Sequence, residues 1–288
     1  MPRSILTIVD ITGLRSKSVD IRGVFSVFIG MLVFVSAPKT SAQPLANAEI
    51  IGFAVDIVLV AKTIPQIEAL CNQVVDMVEN WLNEARLAMA PQKTEAVLIS
   101  SRKVVEYCTI KVGDCLIQSR THIKYLGIII DRRLTYKEHL IYASEKASQA
   151  ASSLARIMAN KRGPRQTGRK LLATVAASIL LYAAPIWVEA TLIKSYAKQS
   201  ACVRRFCALR VCSAYRTVSD DASLVIAGLY PVELLAIEAR DIRNLITEGT
   251  KPHIARTLCR RNTIQLWQLC WSASKKGVWT YYCEQNVR

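Results

Sequence analysis

The segment Glu49–Ala61, EIIGFAVDIVLVA, contains two short runs that are typical of β-strands, 49–54 and 57–61. β-Branched and aromatic residues favour both runs, and the runs meet at Val55 and Asp56 with only a tight connection between them. The segment therefore predicts a β-hairpin with Asp56 at its tip.

A helix is predicted directly after this hairpin. Thr63 is a good N-cap, Gln66 completes a capping box with it, and Pro65 falls in the first turn, where a missing N–H does no harm. Apolar residues then recur every three to four positions, which predicts one apolar helix face. They are Ile67, Leu70, Val74, Val78, Trp81 and Ala85.

Further strands are predicted at 96–99 and 123–130, and a second hairpin is predicted over 107–118. Gly113-Asp114 is the turn signal of that hairpin. The order strand, strand, helix, strand, hairpin, strand indicates an α+β layer with an antiparallel sheet.

After Tyr136 the pattern is helical almost to the end of the chain. Residues 171–188 carry no charge and could be mistaken for a membrane span, but Pro185 and the amphipathic segments on both sides favour a buried helix of a bundle. The predicted helices are 137–160, 165–184, 191–213, 231–248 and 252–273.

Residues 1–44 differ in character from the rest and are interpreted as an unrelated leader. Their charge-free run, Gly23–Pro38, is shorter than the roughly 20 residues that span a bilayer. Two interpretations of this run are open: it is a secretory signal or membrane anchor, or it is a buried or non-native appendage. We favour the appendage and an intracellular location for the protein. The predicted domains are 1–44, 45–136, 137–250 and a helical tail, 251–288.

The charge of the chain predicts a polyanionic partner. The 288 residues contain 38 Lys and Arg against 22 Asp and Glu, a net charge of +16, and residues 100–215 alone contain 20 against 6. Nucleic acid and an anionic membrane surface are both suitable partners for such an excess of positive charge. We expect the phosphates of a nucleic-acid backbone to neutralise it. Of the nine cysteines, Cys202, Cys207 and Cys212 recur every five residues, so a straight helix would put successive ones on different faces, and no pair of histidines follows them. We therefore expect reduced, mostly buried thiols.

A series of motifs resembles one protein family. Phe53-Ala54-Val55-Asp56 resembles the catalytic hairpin of reverse transcriptases, in which an aromatic residue and any residue precede two aspartates. The segments 87–95, 124–128 and 134–136 follow it in the order found in the palm domain of non-LTR retrotransposon reverse transcriptases. The resemblance implies the C-terminal part of a palm.

Later blocks resemble the helical thumb region of the same elements. The blocks 181–187, 214–219 and 227–231 are similar to those of insect-type elements in particular. The resemblance covers about residues 45–280 and implies a partial polymerase palm followed by an all-α thumb and connection region.

The resemblance also implies roles for individual residues. Enzymes of the family hold two Mg²⁺ ions on carboxylates, and the principal hairpin aspartate is replaced here by Val55, so that Asp56 is the remaining neighbour. Lys93 matches the lysine that protonates the leaving pyrophosphate. A strand and turn that grip the primer end are matched by Lys124, Tyr125, Leu126 and Gly127. Contacts to the nucleic-acid backbone are expected from Lys161, Arg162, Arg165, Arg169, Lys170, Arg204 and Arg205.

These correspondences predict a chain without polymerase activity of its own. Neither the aspartate of an earlier strand nor the nucleotide-pocket motif is recognised in residues 1–52, and a valine cannot ligate a metal ion. We therefore expect Mg²⁺ not to be bound productively, and the partners to be an RNA template and an RNA–DNA or DNA duplex. Deoxynucleotides would bind only to an active enzyme. The alternatives are a non-enzymatic nucleic-acid-binding protein and a protein anchored in a membrane through 23–38.

Overall fold

The computed structural model describes residues 5–11, 15–16, 51–53, 56–61, 63–84, 86–88, 91–100, 106–158 and 163–287. The chain divides into two compact units, 1–134 and 135–288. The apolar run Gly23–Pro38 lies outside the described residues. The fold is α+β, as the order of the predicted elements indicates.

The first unit is built on a four-stranded antiparallel sheet with the order β3-β4-β1-β6. Its elements up to the last sheet strand are β1 (Ile5–Ile11), β2 (Arg15–Ser16), β3 (Ile51–Phe53), β4 (Asp56–Ala61), α1 (Ile64–Glu84), β5 (Leu87–Ala88) and β6 (Thr94–Ile99). A short 3-10 turn, Pro91–Lys93, precedes β6.

The strand β1 lies at the centre of this sheet, although its residues fall in the segment that the sequence assigns to an unrelated leader. It pairs with β4 on one side and with β6 on the other. Its sequence, ILTIVDI, is rich in the β-branched residues that suit a sheet. Residues 5–11 are therefore an integral part of the first unit, since they join β4 to β6.

The helix α1 covers the core of the first unit. It begins at Ile64, directly after Thr63, and carries Pro65 in its first turn as the sequence predicts. Its apolar face contributes Ile67, Cys71 and Val74 to a buried cluster that also contains Leu98 of β6. Of the apolar positions predicted for this face, Ile67 and Val74 are buried, whereas Leu70 and Val78 are half-buried and packed against the cluster.

Two hairpins complete the first unit. The first, β7 (Thr109–Val112) with β8 (Cys115–Gln118), confirms the prediction around Gly113. The prediction of one strand over 123–130 is wrong, because β9 (His122–Tyr125) and β10 (Ile128–Asp131) form an antiparallel hairpin. Leu126 and Gly127 make its two-residue turn with φ angles of 45° and 85°, the left-handed backbone that such turns require.

The second unit is helical. Its helices are α2 (Lys137–Ile157), α3 (Gln166–Leu180), α4 (Ala184–Trp187), α5 (Lys194–Cys212), α6 (Asp220–Ala227), α7 (Val232–Thr247), α8 (Pro252–Ser272) and α9 (Val278–Cys283). Its largest buried cluster draws on α2, α3, α5, α6 and α8, and Trp267 and Trp271 of α8 lie inside it. The segment after residue 250 therefore contributes to the same core.

The uncharged segment 171–188 is divided between α3 and α4. Ala183 adopts a left-handed conformation between them, and the buried Trp187 donates an N–H to the Tyr182 carbonyl at 2.8 Å. Among the described residues, none of the helices could cross a membrane alone by length and apolarity. Two bent pairs pass that test together, 166–180 with 184–192 and 220–227 with 232–247.

Candidate functional site

The hairpin that carries Asp56 is present, and Asp56 is the first residue of its second strand. Phe53, the last residue of β3, is the register partner of Asp56, the first residue of β4. Residues 54 and 55 lie outside the described residues. Asp56 therefore begins a strand at one end of the sheet.

A second aspartate lies directly opposite the first. The ladder between β1 and β4 pairs Asp10 with Asp56, and the ladder between β1 and β6 pairs Asp10 with Glu95. Residues directly opposite on antiparallel strands share one face of the sheet, with Cα atoms about 4.5–5.5 Å apart. The backbone thus aligns three acidic residues across three neighbouring strands.

Sequence reasoning missed Asp10. The expectation that residues 1–52 hold no aspartate on an earlier strand is corrected by the register of β1. The available signal was the run ILTIV directly before Asp10, an apolar β-type segment that ends in a carboxylate. A strand of seven residues, separated from β3 by about 40 residues, gives little indication of its partners from sequence alone.

The backbone of Lys93 belongs to the same end of the sheet. Lys93 ends the 3-10 turn before β6, and the next residue, Thr94, is the register partner of Ile11. The chain therefore brings the backbones of Asp56, Asp10 and Lys93 to one edge.

The residues predicted to grip a primer form the tip of the β9–β10 hairpin. Lys124 and the turn residues Leu126 and Gly127 are exposed, and Lys124 lines a cavity together with Tyr107 and Arg120. The hairpin is held against β6, since the Arg120 N–H donates to the Ala96 carbonyl at 2.7 Å. Arg120 also forms an ion pair with Glu95, at one end of the acidic row.

Two of the arginines predicted to contact a nucleic-acid backbone are buried instead. Arg169 donates to the carbonyls of Pro164 at 2.8 Å and Arg210 at 3.0 Å. Arg204 donates through Nε to the Tyr230 carbonyl at 2.9 Å, and its burial lowers the pKa of the guanidinium below its ordinary value. These two side chains join segments of the second unit and do not present their charge to solvent.

The other predicted cations differ in how accessible they are. Arg165 is exposed directly before α3, and Lys170 is half-buried, with its Nζ close to Gly228. Arg205 forms an ion pair with Asp220 and donates to two backbone carbonyls. Lys161 and Arg162 lie outside the described residues.

The cysteines are free thiols, as expected, but fewer are buried than predicted. The buried ones are Cys71, Cys108, Cys207 and Cys259, and the exposed ones are Cys115, Cys202, Cys270 and Cys283. Within the described part of the chain, His, Cys, Asp and Glu residues form no group of three that could hold a metal ion.

Comparison with known proteins finds relatives among the polyproteins of retrotransposable elements. The chain is 23% identical to a retrovirus-related Pol polyprotein from the type-1 retrotransposable element R1 of Nasonia vitripennis, over 83% of this chain and 78% of the relative. A second such polyprotein of the same wasp is 23% identical over 81% of this chain and 62% of its own length. The R1 polyprotein of Bradysia coprophila is 25% identical over 83% of this chain, which spans 26% of that relative.

These relatives support a non-LTR retrotransposon origin for the chain. No protein-family model and no solved structure matches it.

Proposed function

We propose that this chain is the part of a retrotransposon RNA-directed DNA polymerase that contains part of the palm and the thumb. It has no polymerase activity by itself and retains affinity for nucleic acid. The observation that carries this proposal is the register of Asp56 with Asp10, together with a valine at position 55.

The polymerase ancestry is supported by the placement of the acidic residues. A hairpin strand that begins with an aspartate lies beside a strand with a second aspartate at the same level, and the lysine before β6 is at the same end. Two-metal phosphoryl transfer needs oxygen ligands that are close together at one edge of a rigid sheet. Distant similarity to R1 Pol polyproteins supports the same assignment.

The loss of catalysis is argued from the donor set. Asp10 and Asp56 would be the residues to hold Mg²⁺, which in such a site activates the attacking oxygen and neutralises charge on the transferred phosphate. The position before Asp56 carries an aliphatic side chain, and valine offers no oxygen to a hard cation. The residues present therefore do not fit a two-metal centre. Removal of one interaction of this kind typically slows a reaction by orders of magnitude.

Nucleic-acid affinity is argued from charge. Residues 100–215 carry a large excess of cations, and Arg165 is exposed to solvent directly before α3. Contacts between cations and a nucleic-acid backbone release counterions, so binding should weaken steeply as the salt concentration rises.

Primer extension on an RNA template with Mg²⁺ tests the proposal. The wild-type chain should bind the primer–template and add no nucleotide. Val55→Asp is the informative variant. If Val55→Asp extends the primer and Val55→Asp/Asp56→Ala does not, the lack of polymerase activity in the wild-type chain is caused by the residue at position 55. Robust extension by the wild-type chain that is lost in Asp56→Ala would overturn the proposal.

A second function, a non-enzymatic nucleic-acid-binding protein, is favoured by the same valine. A scaffold kept for binding alone needs the basic surface and does not need the metal ligands. Tight, salt-sensitive binding by the wild-type chain that is unchanged by Asp10→Asn and Asp56→Asn would support this function. Binding that depends on both aspartates and on Mg²⁺ would contradict it.

A further inference from the structure

A groove lined by arginine and aromatic side chains runs along the C-terminal half of α5. Its walls come from α5 and from the connection to α6, and no carboxylate is among the described residues that line it. The lining residues are Cys202, Arg205, Phe206, Leu209, Arg210, Ala214, Tyr215 and Arg216.

One wall is a single helix face. Cys202, Phe206 and Arg210 recur every four residues, so they lie above one another along α5. The guanidinium of Arg210 lies 5.5 Å from the centre of the Phe206 ring. This contact holds a cation and an aromatic surface side by side in the groove.

The other wall is a short connection that is firmly attached to α5. Ser213 ends the helix in a left-handed conformation, and the Ala214 N–H donates to the Leu209 carbonyl at 3.0 Å. The guanidinium of Arg205 donates to the carbonyls of Arg216 at 2.6 Å and Val218 at 2.8 Å.

Tyr215 is the most exposed part of this wall. It is 84% exposed, although the backbone on its C-terminal side is held by these hydrogen bonds and by the Val218 N–H, which donates to the Tyr215 carbonyl at 3.2 Å. An aromatic ring on a backbone that is already ordered loses little conformational entropy when it binds a ligand.

We propose that this groove binds unpaired nucleotides of single-stranded nucleic acid. Tyr215 stacks on a base, Arg210 and Arg216 contact the flanking phosphates, and Arg205 is a positioning residue that holds the Tyr215 loop. This proposal rests on the proposed function, because it takes the ligand to be nucleic acid. It adds that the nucleic acid is single-stranded and that it binds in this groove. A base inside a duplex has no free face for the ring, so the combination of an exposed aromatic with cations favours a single strand.

Fluorescence anisotropy with a labelled single strand of about 12 nucleotides and with its duplex tests this assignment. Tyr215→Ala should weaken single-strand binding roughly five- to 150-fold, the range measured for loss of one base–aromatic stack, and should leave duplex binding unchanged. Tyr215→Phe keeps the ring and should bind like the wild-type chain. Arg216→Ala should weaken binding and flatten its salt dependence.

Matched controls are available elsewhere in the second unit. Tyr182 is 52% exposed and Arg243 is exposed on α7, so Tyr182→Ala and Arg243→Ala remove the same residue types outside the groove. Both should bind the single strand as the wild-type chain does. Thermal melting of each variant shows whether its fold is intact.

Cys202 gives a readout that does not depend on mutagenesis at the binding residues. It is an exposed thiol in the groove, whereas the exposed Cys270 lies on α8. A saturating single strand should protect Cys202 from maleimide and leave Cys270 reactive.

The possible results separate the two proposals. The groove assignment would be overturned if Tyr215→Ala bound the single strand as tightly as the wild-type chain does, or if Cys202 stayed unprotected. Either result would leave the proposed function intact. Absence of binding to either nucleic acid would overturn both. Equal protection of Cys202 by a polyglutamate peptide would assign the groove to acidic peptides and overturn the nucleotide proposal.

Discussion

Asp10 lies directly opposite Asp56 in the ladder between β1 and β4, and Glu95 lies opposite Asp10 on the other side. Like charges that face each other across strands destabilise a sheet by about 0.2–1 kcal/mol. The ion pair with Arg120 offsets the charge of Glu95. A sheet that aligns acidic residues in this way is less stable than its neutral equivalent unless a cation binds there.

Asp10→Asn should therefore stabilise the first unit. The free energy of unfolding by urea in EDTA should rise by roughly 0.2–1 kcal/mol, because one of two facing charges is removed. Asp76→Asn, an exposed site on α1, is the control and should stay within about 0.5 kcal/mol of the wild-type value. A destabilised Asp10→Asn variant would argue against this pairing.

The central position of β1 can be tested at Ile8. Ile8 pairs with Val58 of β4 and with Val97 of β6, so a proline there removes a ladder N–H from a strand that is paired on both sides. Ile8→Pro should lower the free energy of unfolding by about 1–3 kcal/mol. Ile8→Val keeps the backbone N–H and should have a much smaller effect. Equal stability of the two variants in urea melts would contradict the observed sheet order.

Arg169 should matter for stability and not for binding. Arg169→Ala leaves the carbonyls of Pro164 and Arg210 without their donor, which should reduce the free energy of unfolding by about 1–3 kcal/mol. Arg165→Ala, four residues earlier and exposed, should leave stability nearly unchanged. The affinity for nucleic acid should fall in Arg165→Ala and should be unchanged in folded Arg169→Ala. The opposite result would mean that Arg169 contacts the nucleic acid.

His139 should make stability depend on pH. Burial beside Trp187 lowers the pKa of His139 below its ordinary value, so the unfolded chain binds a proton at a higher pH than the folded chain does. Stability should be fully present above about pH 6.5 and should fall below it by at most about 1.4 kcal/mol per pH unit until the folded-state pKa is passed. His139→Gln should lack this slope. Parallel stability curves for the two proteins between pH 7 and about pH 5 would refute the assignment.

Local patterns predicted several elements because the signals lie close together in the chain. Thr63 and Pro65 mark the start of α1, and Gly113-Asp114 marks the β7–β8 turn. The β9–β10 hairpin was missed because Leu126 adopts a left-handed backbone that propensity does not predict for leucine. Its apolar flanks then resembled one continuous strand.

Non-local features were beyond the reach of the same patterns. The place of β1 depends on partners 46 or more residues away, which composition does not encode locally. Arg169 and Arg204 look like surface cations in sequence, and only the tertiary fold supplies the carbonyls that they bind. Charge alone therefore does not identify which residues would contact a partner.

The thiols of the first unit, with Cys202 of the second unit as a further exposed reference, provide a test of the core of the first unit. Burial, then the neighbouring Cys108 and Glu68, raise the pKa of Cys71 to about 12, so its thiolate fraction at neutral pH is roughly 1,000-fold below that of a thiol of ordinary pKa. In the native protein iodoacetamide should modify the exposed Cys115 and Cys202 and leave Cys71 and Cys108 intact, as measured by mass spectrometry of peptides. In urea the four should react at similar rates. Rapid native modification of Cys71 would mean that α1 does not pack on β6 and β7 as the buried cluster requires.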